Sequence, residues 1–145
     1  MADTTTSQSE SAQYAEQAYQ NGLLQTLRLA VGYHQSGRMA EAEQLYRGIL
    51  QGEPEQPQAN HNLGLLMLQK QQPVEGLPHL EAALAAKPDS ERYWLSYIDA
   101  LALAGQTERA LEMLAFGREH GLEGSSVEAL AELLNASQPM SAQPG

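Results

Sequence analysis

The side chains best able to do chemistry in this 145-residue chain are few and widely spaced. His34, His61, His79 and His120 are its four histidines, and no two stand at the i, i+4 spacing that puts a pair of imidazoles on one helix face. Cysteine is absent. A zinc-type site needs three or four such ligands converging, so no metal is expected. Asp99, in Trp94-Leu95-Ser96-Tyr97-Ile98-Asp99, could serve as a general base only with a nucleophile facing it. No such partner is evident, and an interhelical hydrogen bond is its plainer role. Asn62, in Ala59-Asn60-His61-Asn62-Leu63-Gly64, is the sharper candidate. Its amide donates and accepts at once, which suits it to grip the backbone of an extended peptide without reading its sequence. The plainer role is a local bond between helices. Tyr93, Trp94 and Tyr97 could anchor a partner, but packing in a core is the first use of such a cluster. This inventory implies no cofactor and no enzyme active site.

These residues sit in a repeating pattern. Pro54 and Pro88 lie 34 residues apart, and the stretches before them correspond position by position. Leu50, Ile49, Tyr46, Ala42, Gly37, Tyr33 and Leu29 precede the first; Leu84, Ala83, Leu80, Gly76, Gln71, Met67 and Leu63 precede the second. A third copy at the same offset gives Gly117, Leu114, Ala110, Gly105, Leu101 and Tyr97. Such a period, filled at helical spacing, marks stacked helix–turn–helix units, an architecture that holds other molecules. Small residues (Ala30 or Gly64 on first helices; Ala42, Gly76 or Ala110 on second) allow the close approach that ridge-into-groove packing requires.

Along the chain, residues 1–11 are polar and are expected to form a disordered leader, unless a long first helix absorbs them. That helix, periodic from Tyr14, stops at Ser36-Gly37. A second helix spans Met39–Leu50, a third about 58–70, and a fourth about 74–86 with Pro78 inside, where it can kink the helix. Asp89 or Ser90 caps a fifth that reaches Ala104, and Thr107 caps a sixth that reaches about His120. Ser125 and Glu128 form a capping box that opens a seventh, 125–135. The helical domain is thus 12–135, with units at about 23–56, 57–90 and 91–122, and 136–145 reads as a flexible tail or linker.

Composition narrows the function classes. The formal net charge is −10, and the eight Lys and Arg residues are scattered singly, so neither nucleic acid nor an anionic membrane is an expected partner. Residues 1–20 lack a basic start and an apolar stretch, and no apolar run is long enough to cross a bilayer. A soluble cytoplasmic protein is the expectation.

On these residues the chain resembles the tetratricopeptide repeat family. Leu29, Ala30, Tyr33, Ala42, Tyr46 and Pro54 in the first unit fall at that family's pattern positions. Leu63, Gly64, Gly76, Leu80, Ala83 and Pro88 do so in the second, and Trp94, Leu101, Ala110 and Leu114 in the third. Gln71 replaces a turn glycine, Ile98 a small residue and Leu122 a closing proline. The resemblance implies an all-α, right-handed α-solenoid of three helix pairs plus a C-terminal capping helix, with first helices lining the inner surface. It puts Leu27, Val31 and His34, then His61, Asn62 and Leu65, then Arg92, Leu95 and Asp99 at peptide-facing positions. The variety of these repeats that clamps acidic tails needs several Lys and Arg, and only Arg92 stands in place. Asn62 resembles one rung of the asparagine ladder in O-linked N-acetylglucosamine transferases. Residues 92–106 look like the final repeat before the catalytic domain of bacterial proteins of that type. The resemblance therefore implies a non-catalytic scaffold that holds a protein or extended peptide in its concave groove. The alternative is the substrate-recognition arm of a larger glycosyltransferase. Weak homo-oligomerisation through an uncovered helix face is a further expectation.

Overall fold

A computed structural model describes residues 3–138 and folds them entirely into α-helices and their connections. Residues 1–2 and 139–145 lie outside the described residues, and with them most of the expected tail. The chain divides into two compact units, 1–54 and 55–145.

The first unit is one helix pair, α1 (Asp3–Gln35) and α2 (Met39–Gly52). Small residues set its spacing: Ala30 and Ala42 are fully buried, and the Tyr46 ring is buried beside them. The Tyr46 hydroxyl lies 3.3 Å from His34 Nδ1. α1 has 33 residues, roughly 50 Å of helix, and so outruns α2. Residues 3–11 belong to α1, as in the alternative in which a long first helix absorbs the leader. Once α2 has fixed the later turns, each added residue gains a backbone bond without a new nucleation cost. Side chains from Ser7 to Gly22 remain exposed, as their polarity requires.

The second unit holds α3 (Pro57–Gln69), α4 (Pro73–Ala86), α5 (Glu91–Leu103), α6 (Thr107–Glu119) and α7 (Ser125–Ala136). Pro57 and Pro73 open their helices where a missing N–H costs nothing. Gln56 Oε1 accepts the Ala59 N–H at 2.6 Å, and Ser90 Oγ accepts that of Tyr93 at 3.3 Å. Two expected caps are not formed. Thr107 and Ser125 are the first helical residues rather than caps, and neither N-terminus has a side-chain cap bond. Glu128 pairs instead with Arg118, Nη2 to Oε1 at 2.9 Å, so the capping box gives way to an ion pair. Pro78 does not interrupt α4: it is exposed, so the backbone bond it forfeits lies on the solvent side.

α3 and α4 meet at two glycines. A Cβ on Gly76 would stand 2.9 Å from the Gly64 carbonyl oxygen, and one on Gly64 would stand 2.5 Å from Leu80 Cγ. Around and beyond this contact Leu80, Ile98, Leu101, Ala110 and Leu114 form a continuous core. α7 packs on α5 and α6 and closes that core with Val127, Leu130, Ala131 and Leu134. Among the described residues no helix is long and apolar enough to cross a membrane.

The turns within the three pairs repeat at 34 residues with the same two hydrogen bonds. Gly37, Gln71 and Gly105 have φ of 84°, 60° and 81°. Each donates its N–H three residues back, to His34, Leu68 and Ala102. The next residue donates to Tyr33, Met67 or Leu101, at 2.8 Å each time. This is a Schellman closure, and it needs a left-handed residue. Gln71 adopts that conformation at a cost glycine avoids.

Two substitutions test this geometry by urea unfolding at pH 7. Gln71→Gly should stabilise the chain by about 0.5–1 kcal/mol, the left-handed strain less the entropy that glycine brings to the unfolded state. Gly76→Ala should destabilise it by about 1–2 kcal/mol despite the higher helix propensity of alanine, because the obstructing atom is backbone.

Candidate functional site

Within the second unit, α3, α5 and α7 leave an open concavity of about 390 Å³. Leu65 comes from α3, while Leu95, Ser96 and Asp99 come from one face of α5. Ser126, Ala129, Leu130 and Leu133 come from α7. Helical spacing produces this lining: 95 and 99 are one turn apart, and 126, 129/130 and 133 follow at three and four residues. The surface is mostly apolar. Leu133 is 65% exposed, and Leu103, one turn beyond Asp99, is 59% exposed.

Behind this surface lies a polar tie. The His61 ring is only 2% exposed, and its Nε2 shares a 2.7 Å hydrogen bond with Ser96 Oγ, which links α3 to α5. The ring also lies against Tyr93, with centroids 4.6 Å apart. Burial, helped by the positive charge of Arg92, lowers the His61 pKa from 6.5 to about 4, against a hydrogen bond with Asn62 that favours the charged ring. His61 is therefore neutral at physiological pH. Burial holds the Tyr93 phenol above its ordinary value. Asp99 differs from both: it is exposed at the rim, and partial desolvation there raises its carboxyl above the usual range.

The predicted residues divide accordingly. Leu65, Leu95 and Asp99 converge on the concavity. Asn62 is half-buried beside His61, and Arg92 is exposed at the start of α5. His61, expected to face a ligand, is instead a buried strut, because an imidazole at this position reaches Ser96 across the interface. In the first unit Leu27 is buried, while Val31 and His34 are half-buried on α1. The α7 contribution was missed. Its signal was present, since Leu130, Leu133 and Leu134 give α7 more apolar width than one buried face uses. The interhelical asparagine is Asn60, 3% exposed, whose Oδ1 accepts from His79 Nδ1 at 3.1 Å. Trp94 is buried, and its Nε1–H donates to the Pro88 carbonyl at 2.7 Å.

Two other concavities hold none of the nine residues expected to face a peptide. One of about 480 Å³ lies between α1 and α2, and one of about 420 Å³ lies beside Trp94 and His120. Among the described residues no cluster of three or more His, Asp or Glu is arranged to hold a metal ion.

The neutral His61 gives the fold a pH dependence of known sign. An unfolded chain binds the His61 proton near pH 6.5 and the folded chain only near 4, so the contribution is complete above about 6.5 and is lost as pH falls toward 4. Urea unfolding at pH 5 should show about 1–2 kcal/mol less stability from this source than at pH 7. His61→Gln, which does not titrate, should flatten the profile between those values.

Comparison with known proteins adds the family pattern. The tetratricopeptide repeat profile matches residues 33–94. No curated protein matches the chain. Among solved structures, the first tetratricopeptide domain of Spaghetti (RPAP3), bound to the HSP90 peptide SRMEEVD, is similar with a TM-score of 0.71 at 13% identity. That match covers 79% of this chain and 91% of that one. SycD, the type III secretion translocator chaperone of Yersinia enterocolitica, is similar with a TM-score of 0.70 at 16% identity, over 81% of this chain and 83% of that one. A MamA structure has a TM-score of 0.62 at 19% identity, over 77% of this chain and 66% of that one. The chain is thus built on the tetratricopeptide repeat fold, and residues 33–94 carry that family's sequence pattern.

Proposed function

We propose that this protein is a non-catalytic scaffold that binds a protein or peptide segment in the α3–α5–α7 concavity. One observation carries the reading: an open, mostly apolar surface formed by Leu65, Leu95, Leu130 and Leu133 that no described residue fills. Leu133 is exposed and Leu65 and Leu95 are half-buried, and such apolar surface grouped on a concave face lowers its free energy by gaining a partner. Two structural neighbours support the reading, since one holds a peptide and the other is a chaperone. The ligand differs in chemistry from SRMEEVD. No Lys or Arg lines the concavity, and Asp99 would repel an acidic tail. Asn62 and Arg92 are the polar candidates for contact with a peptide backbone. A cytoplasmic setting suits a chain without cysteine. A transferase arm would use the same groove; whether the reading frame continues past Gly145 into a catalytic domain separates the two.

Affinity capture from extracts of the source cell tests the proposal. Leu133→Glu should remove the captured partner, whereas Val74→Glu, an equally exposed site on α4, should leave it. Retention with the first variant and loss with the second would place recognition elsewhere. Loss of self-association instead of a partner would point to a homo-oligomer.

A further inference from the structure

Asp99 is the one ionisable side chain that lines the concavity, and its carboxylate makes no hydrogen bond or ion pair with any described residue. Its own helix offers no counter-charge within one turn, where Leu95, Ser96, Ala102 and Leu103 stand; the one cation on α5, Arg92, lies two turns back. The Ser96 hydroxyl is already engaged with His61 Nε2 at 2.7 Å. Leu95, Leu130 and Leu133 make up the apolar wall around the carboxylate. A carboxylate beside leucines loses hydration and gains nothing in exchange, which is why its pKa rises. Such a group is a cost to the empty groove and an anchor in a filled one.

We propose that the groove selects an aliphatic peptide segment carrying one Lys or Arg, whose cation pairs with Asp99 while its apolar neighbours lie on Leu95, Leu130 and Leu133. This rests on the groove reading above. A cation at this rim restores the electrostatic stabilisation that Asp99 lost to desolvation, as a charge-assisted hydrogen bond. An acidic residue there meets like charge without compensation, which gives selectivity as well as affinity. Three neighbouring helices span roughly 20 Å, about six residues of extended chain, so the recognised segment is short.

Selection from a random 12-residue peptide display library against the full chain, followed by synthesis of an enriched peptide, tests the pairing. Enriched peptides should carry Lys or Arg next to Leu, Ile or Met. Asp99→Asn should weaken a synthetic one roughly tenfold, as should Lys→Gln in the peptide, and the two changes together should cost little more than either alone. Asp99→Lys should turn the selection toward Asp or Glu. Peptides that require Leu133 but lack a basic residue and ignore Asp99→Asn would overturn the charge pairing and leave the groove standing. A selection that yields only peptides indifferent to Leu133→Glu would overturn the groove and this inference with it.

Discussion

The contact between Gly64 and Gly76 is the constraint on which the second unit depends. Two helix backbones approach so closely there that a single methyl group would stand 2.9 Å from a carbonyl oxygen. The approach lets Leu80 lie across α3, and Leu80 belongs to the same core that seats Ile98 and Leu101 of α5. α5 in turn carries Leu95 and Asp99 to the concave side, and α7 packs on α5 and α6. A displacement of α4 would propagate through each of these layers, because close-packed interiors transmit strain rather than absorb it.

Polar chemistry in this protein mainly holds helices together. His61 and Ser96 tie α3 to α5, His79 and Asn60 tie α4 to α3, and Trp94 is fixed to the Pro88 carbonyl. The buried His61, Asn60 and Trp94 each have a hydrogen-bond partner, as low-dielectric surroundings demand. Asp99 is different because no described residue pairs with its carboxylate, which stands at the edge of an apolar groove. The contrast separates residues that build the surface from one available to a guest.

Much of this was legible in the sequence because helix pairs repeat their local rules. The 34-residue spacing of Gly37, Gln71 and Gly105 located the turns, even though glutamine stands at one of them. The prolines and small residues gave the helix ends and the close approaches. Capping was less legible: Thr107 and Ser125 have suitable side chains, but the backbone starts each helix one residue earlier than a cap would. Nor could periodicity separate His61 from its neighbours Asn62 and Leu65, since one face of α3 serves both the interface with α5 and the groove. Tertiary contact decides that, through a serine 35 residues away. Leu122 shows the same limit, for where a closing proline was expected it is a buried leucine packed against Gly117.

The central claim is that recognition takes place on the α3–α5–α7 surface. An amide chemical-shift map of the full chain, titrated with a bound peptide, tests it most directly. The account predicts shifts clustered at Leu65, Leu95, Ser96, Asp99, Ala129 and Leu133. Shifts confined to the concavity beside Trp94 and His120, or to the one between α1 and α2, would contradict it.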